Sequence, residues 1–361
     1  MKCVQTIVFA TLVILFIFPI PVRAQKGAMS DQDIVQLTQL ELRGTELSEA
    51  EVRALEDRLE KNPDDLAARL QLVSYYAVKG RSLDSARAAY QTHAIWMIQH
   101  HPDAPYSGSA FMTLDPVSYG NRYAQAKNLW LEQVKAHPKD AAVLRNAARF
   151  FLIRDGILAE DLLKRAKQLE PNNPEWSEQL GQLYRLRART KSRPKSRREV
   201  SAKSLAEFER ALQGADPIKR YSELPYLAKV AFEAEEFDKA RPYASELLEK
   251  ANKDKKSWNY GNAVHDGNLV LGRLALKAGN IDQAKEYLMK AGNTPGSPQL
   301  NSFGPTMTLA KELIEHGEHQ TVLEYFKLCG NFWKMDNGRL AQWTATVRKG
   351  SVPNFGANLD Y

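Results

Sequence analysis

An all-α chain of antiparallel helix pairs stacked into a solenoid is what the sequence predicts, on three observations. The stretch Gly267–Gly292, GNLVLGRLALKAGNIDQAKEYLMKAG, reads as two short helices with a turn at Gly279-Asn280. Leu271, Ala275, Leu288 and Ala291 give each helix an apolar face at three- and four-residue spacing. Gly272 and Ala284 are small where two helices must cross closely. A similar small-then-larger pair, four residues apart, recurs at Ala86/Tyr90, Ala126/Trp130, Ala159/Leu163 and Ala284/Leu288, with weaker versions at Ser204/Phe208, Ala240/Ala244 and Val322/Phe326. One such hairpin cannot bury its faces alone, so neighbours must stack on it.

In chain order, residues 1–24 have the features of a signal peptide. Lys2 is followed by an almost wholly apolar run from Val4 to Ile20, then by Pro21 and the small-residue site Val22-Arg23-Ala24. Cleavage near Ala24 predicts export to the periplasm or beyond, with no transmembrane helix in the mature chain, whose one cysteine would be Cys329. Residues 25–47 read as loosely ordered. Ser48-x-x-Glu51 is a capping box that opens a helix with Val52, Leu55 and Leu59 on one face. Residues 48–184 hold a first set of repeats. Its leading helices show as Leu72-x3-Tyr76 before Gly80, Ala147-Ala148-x2-Phe151 before Asp155-Gly156, and Trp176-x3-Leu180-Gly181-x2-Tyr184. His101–Tyr119, rich in Pro, Gly and Ser, reads as a loop.

Residues 185–203 are a basic insert, expected as a solvated loop because Pro194 bars a continuous helix. The formal net charge of the 361-residue chain is +7. Arg185, Arg187, Arg189, Lys191, Arg193, Lys195, Arg197 and Arg198 supply more than that excess with no acid between them, so the basicity belongs to this segment. Residues 204–334 carry a second set of repeats, with Leu227-Ala228, Leu271-Gly272 and Leu309-Ala310 in the leading helices. Gly292–Gly304 is a long turn before Pro305, which suits the first position of the next helix. Residues 335–361 form a capping helix and tail. Asp336 can cap a helix that Gly350 stops, and Trp333, Trp343 and Phe355 can cover the open end of the array.

The Leu271-Gly272 and Ala284-x3-Leu288-x2-Ala291 pattern resembles one tetratricopeptide repeat, and weaker copies extend the resemblance over about residues 64–330. Intervals run from 33 residues (Ala126 to Ala159) to 45 (Ala159 to Ser204), so the array carries inserts. The PGSPQLNSFGP and FGANLDY stretches also resemble uncharacterised exported bacterial repeat proteins, which imply no activity. The resemblance places the residue after each small position on the concave face: Arg149, Gln182, Lys229, Arg273 and Lys311. It implies a protein or peptide partner, acidic if these cations form a stripe. The asparagine by which peptide-clamping members grip a terminal carboxylate is not among them.

No catalytic chemistry is expected. There is no HExxH zinc signature, no phosphate loop, no dinucleotide glycine fingerprint and no nucleophile motif to accompany His265-Asp266. His100, His101, His316 and His319 lack ligand spacing and read as surface residues, so neither metal nor cofactor is expected. The expected function is an exported interaction module or scaffold with a groove for a partner segment. The alternative is binding of an anionic polymer or membrane surface through the basic insert. The absence of interleaved aromatics in that insert argues against nucleic acid.

Overall fold

The computed structural model describes residues 39–80, 83–114, 116–190 and 193–359. The expected signal peptide lies outside the described residues, as do residues 25–38, Lys191 and Tyr361. The fold is all-α: among the described residues there is no strand, and consecutive helices pack in pairs. The chain divides into two compact units, Met1–Pro171 and Asn172–Tyr361.

The first unit contains α1 (Glu49–Lys61), α2 (Leu66–Lys79), α3 (Asp84–His100), α4 (Pro116–Ala136), α5 (Ala141–Phe151) and α6 (Gly156–Leu169). Ser48 accepts the Glu51 amide while the Glu51 carboxylate takes the Ser48 amide at 2.9 Å, the capping box read from the sequence. Asp65, Asp140 and Asp155 cap α2, α5 and α6 in the same way. Residues 39–47 depart from the expected looseness. Residues 39–44 are helical, Leu47 joins the core of Val52, Leu55, Leu59 and Leu72, and a Cβ on Gly44 would lie 2.5 Å from the Gln71 carbonyl oxygen. The 101–115 connection holds two short 3-10 turns and is fastened to α5 by Asn146, whose Nδ2 donates to the carbonyls of Pro102 (2.8 Å) and Ala104 (2.7 Å).

The second unit contains α7 (Pro174–Arg189), α8 (Pro194–Ala211), α9 (Pro217–Glu233), α10 (Phe237–Lys253), α11 (Tyr260–Lys277), α12 (Ile281–Gly292), α13 (Pro298–Phe303), α14 (Thr308–Glu315), α15 (His319–Phe332) and α16 (Arg339–Arg348). Its hairpins are α7/α8, α9/α10, α11/α12 and α14/α15. The basic segment is mostly helix, not a loop. Arg and Lys are good helix formers, so α7 continues through Arg189, and Pro194 takes the N-terminal position of α8, where its missing N–H costs nothing. The segment is therefore the bend of one hairpin, and the division between units falls earlier, after Pro171.

Three hairpins of this unit turn in one way. The amides of Glu236, Asn280 and Glu318 donate back to the carbonyls of Ala231 (2.9 Å), Ala275 (2.9 Å) and Leu313 (3.0 Å). The residue before each donor, Glu235, Gly279 or Gly317, is left-handed at φ 60°, 79° and 86°. All the paired marker residues, from Ala86/Tyr90 to Val322/Phe326, are buried. The need for a small residue is direct at Gly272, where a Cβ would meet Leu309 Cδ2 at 2.4 Å.

Contrary to the expectation from the sequence, Pro305 does not open a helix; the next helix begins at Thr308. The extended residues before α14 are held by the tail. The Met307 amide donates to the Asn358 carbonyl at 2.7 Å, and Asn358 Nδ2 donates to the carbonyls of Phe303 (3.1 Å) and Pro305 (3.0 Å). Asp336 does serve α16, its carboxylate accepting the Leu340 amide at 3.1 Å. Trp333, Trp343 and Phe355 are buried together with Phe326, with 5.6 Å between the two indole rings.

Candidate functional site on the leading helices of the second unit

α7, α9, α11 and α14 are the leading helices of their hairpins, and helical periodicity puts residues three and four apart on one face of each. Charged side chains on that face reach from one leading helix to the next. Lys219 of α9 joins Glu178 of α7 at 2.6 Å and Glu223 of α9 at 3.2 Å. Lys229 of α9 pairs with Asp266 of α11 at 2.7 Å. Arg273 of α11 pairs with Glu233 of α9 at 2.9 Å and, through Nε and Nη2, with Glu312 of α14 at 3.0 and 2.8 Å. Its guanidinium carbon lies 4.1 Å from the Phe232 ring centroid. One arginine thus ties three helices together, using the fork geometry that lysine lacks.

The expected positive stripe is therefore not free. Lys229 and Arg273 spend their charge within the layer, and Lys311, nearer the solvent, faces Glu315 at 3.6 Å. Gln182 lies on α7, half-buried. Arg149 belongs to α5 of the first unit, where it is half-buried. Burial would lower the proton affinity of Arg273, but Glu312 and Glu233 outweigh it and raise it. Lys229 goes the other way: burial dominates over Asp266, and Arg185 and Arg189 add repulsion. Burial, with Glu178 beside it, pushes the Glu223 carboxyl up to about 7 despite Lys219 and Arg185. Glu223 is fully buried and its Oε2 has no hydrogen-bond partner among the described residues.

Arg185 differs from Lys219, Lys229 and Arg273 in having no carboxylate partner among the described residues. Its Nε donates to Gln182 Oε1 at 3.1 Å and its guanidinium lies 5.0 Å from the Tyr226 ring centroid, with no ion pair to a described residue. Burial and then Arg189 bring its pKa down to about 10. Gln182 Nε2, on the same amide, is buried without a partner.

Two histidines are interior. His265 Nδ1 donates to the Ala291 carbonyl at 3.2 Å, and Nε2 accepts the Thr306 amide at 3.1 Å. Both ring nitrogens are used in holding α11, α12 and the extended 304–307 segment together, and burial lowers the proton affinity of the ring. Asp266 faces Lys229, so it does not orient His265. In the first unit His93 is buried between Arg69 Nη1 (3.1 Å) and Glu56 Oε1 (3.2 Å). Cys329 is buried, and burial raises its thiol pKa. Among the described residues no group of His, Cys, Asp and Glu could hold a metal ion, and no helix is long and apolar enough to cross a membrane.

Sequence reasoning found Lys229 and Arg273 but not their partners Asp266, Glu233 and Glu312. Nor did it find Glu223, an acid on the same face as Lys219 one turn away, which was the available signal. No protein-family model matches the chain, and no curated protein matches its sequence.

Proposed function

We propose that the chain is an exported helical-repeat protein, of tetratricopeptide type, that binds a segment of a partner protein along the leading helices of its second unit. The observation that carries this is the Glu233–Arg273–Glu312 bridge with the Lys229–Asp266 pair beside it. It is a polar, half-buried face of fixed geometry spanning α9, α11 and α14, and such faces confer specificity more than affinity. The apolar run and small-residue site of residues 1–24 support export. N-terminal sequencing of the native chain should then begin near Gln25.

The test uses the chain without residues 1–24 against displayed random peptides. Saturable, sequence-selective recovery is expected. The swapped pair Arg273→Glu with Glu312→Arg should change the recovered set while far-UV circular dichroism stays the same. Retention that tracks only negative charge and collapses with salt would favour the second reading, an anionic polymer or membrane surface. That reading is supported by the start of α8, where Arg193, Lys195, Arg197 and Arg198 are exposed and Arg193 provides no side-chain cap.

A further inference from the structure

The apolar side chains that the first unit leaves most open to solvent gather on one edge. Val117, Ile157, Ile153 and Leu83, at 87%, 77%, 61% and 54%, are the most exposed large apolar residues described in that unit, and Val78 joins them at 37%. They come from three separate turns. Val78 and Leu83 flank the α2/α3 turn, Val117 opens α4, and Ile153 and Ile157 flank the turn from α5 to α6. The packing brings these turns to the same side. At the start of α4 the Tyr119 ring lies 5.4 Å from that of Tyr90 in the first half of α3. Near the end of α4, Gln133 Nε2 donates to the Gln99 carbonyl at 3.0 Å, near the end of α3, so the two helices run in the same direction. Phe150, at the end of α5, stacks on Tyr123 in the first half of α4 at 5.5 Å, so α5 returns to that edge.

Exposed cations stand among these residues: Lys79 beside Val78, Arg122 in α4 and Arg154 beside Ile153. The acids Asp84 and Asp155 are engaged within the fold, one by Arg87 at 3.0 Å and the other by the first turn of α6. The hairpin turns of the second unit are built otherwise. At α9/α10, α11/α12 and α14/α15 they expose Glu235, Glu236, Asn280 and Glu315, and no large apolar side chain described there is exposed. Closing a hairpin thus does not call for Val, Leu or Ile in solvent, and contiguous exposed apolar residues mark an interaction surface.

We propose that this edge of the first unit docks on a lipid bilayer with anionic headgroups, the aliphatic side chains entering the interface and the cations meeting the headgroups. A protein partner fits less well. Protein interfaces are anchored by aromatic and arginine side chains seated in pockets, whereas these are aliphatic tips on separate turns, with no exposed aromatic ring among the described residues around them. Lipid flows around separate tips, and aliphatic residues interspersed with Lys and Arg are the composition of interfacial docking.

This docking does not depend on the partner segment proposed above, and its test uses lipid alone. The chain without residues 1–24 is used, because their apolar run would itself enter a bilayer. It should co-sediment saturably with vesicles of phosphatidylcholine containing about one quarter phosphatidylglycerol, and several-fold less with phosphatidylcholine alone. Ile153→Ser together with Ile157→Ser should weaken binding to the mixed vesicles roughly tenfold or more at unchanged far-UV circular dichroism. Replacing Arg193, Lys195, Arg197 and Arg198 with Gln should weaken it less than about threefold. No sedimentation with the mixed vesicles, undiminished binding of the isoleucine variant, or loss of binding on neutralising α8 alone would overturn the proposal. A lipid-free dimer that the isoleucine variant dissolves would also overturn it, by assigning the edge to a second copy of the chain. If that variant fails to fold, a polarity-sensitive fluorophore on Ile157→Cys should shift to the blue with the mixed vesicles, Cys329 being buried away from the label. The same fluorophore on Glu236→Cys, at a turn of the second unit, should not shift, and shifts at both positions or at neither would overturn the proposal.

Discussion

Two groups of cations in the second unit obey different physics. Arg273 and Lys229 are half-buried in the leading-helix face, each within 3 Å of a carboxylate on another helix. Arg193, Lys195, Arg197 and Arg198 stand exposed around the first turn of α8, where the helix dipole is unfavourable to positive charge. The first group is part of the packing and the second is not. A residue's charge says little about its role until its helix and its face are known.

The largest effect should come from cutting the inner group. Arg273→Met leaves Glu233 and Glu312 facing each other without their cation and should cost about 3 kcal/mol in urea unfolding, the range for breaking a buried ion network. Arg198→Met, which removes an exposed pair with Glu235 at 2.9 Å, should cost less than about 1 kcal/mol. Equal losses would erase the distinction. Combining Arg273→Met with Glu312→Leu should recover part of the loss, because a carboxylate left without its cation is then gone.

Next comes pH. The folded chain holds the Glu223 proton more tightly than the unfolded chain, since burial, with Glu178 beside it, raises its pKa to about 7. Its contribution to stability is therefore fully present below the ordinary carboxylate range and declines as pH rises to about 7. Glu223→Gln removes that slope. The midpoint of thermal unfolding of the variant should gain on the parent between pH 5 and pH 8, by roughly 2–4 °C for each kcal/mol involved. A constant gap across that range would show that Glu223 ionises normally. The outer group should behave in the opposite sense to the inner: replacing Arg193, Lys195, Arg197 and Arg198 with Gln should leave stability unchanged or raise it by about 1 kcal/mol at low salt, a gain that disappears at high salt.

The smallest effect is a calibration at two hairpin turns, one of which carries the partner of Arg198. Glu235 and Gly279 occupy the same left-handed place in their turns. Glu235→Gly should stabilise and Gly279→Ala should destabilise, each by about 1 kcal/mol in urea unfolding.

The fold was legible because it depends on local periodicity. The Ala284/Leu288 and Ser204/Phe208 pairs state in four residues what each helix buries, and Gly279 and Gly317 mark their own turns. Glu235 carries no such mark, and the hairpin there was read from its flanks. The extent of α7 and α8 was missed because Pro194 was read as barring helix across the segment, whereas it opens α8 and the helix preference of Arg and Lys carries α7 to Arg189. The candidate site was half legible. The resemblance to a helical repeat, rather than a local rule, pointed to Gln182, Lys229 and Arg273. The partner of Lys229 is Asp266 on the next leading helix, and no local rule joins residues that far apart in the chain. The adjacency of His265 and Asp266 in the sequence gave no sign of their separate roles, because neighbours on a helix point in different directions.

The tail described earlier has a consequence for the order of synthesis. Asn358 completes the hydrogen bonding of Phe303, Pro305 and Met307, residues made some fifty positions before it. Until the chain has been translated past Asn358, Phe303, Pro305 and Met307 lack the hydrogen bonds that Asn358 supplies, and Trp343 and Phe326 lack the Phe355 ring that covers them. α14 and α15 can form as they emerge, but the module they belong to cannot close. A nascent chain paused before Asn358 thus presents an open aromatic end to whatever handles it, and the stretch from Phe355 to Asn358 acts as the latch that ends that exposure.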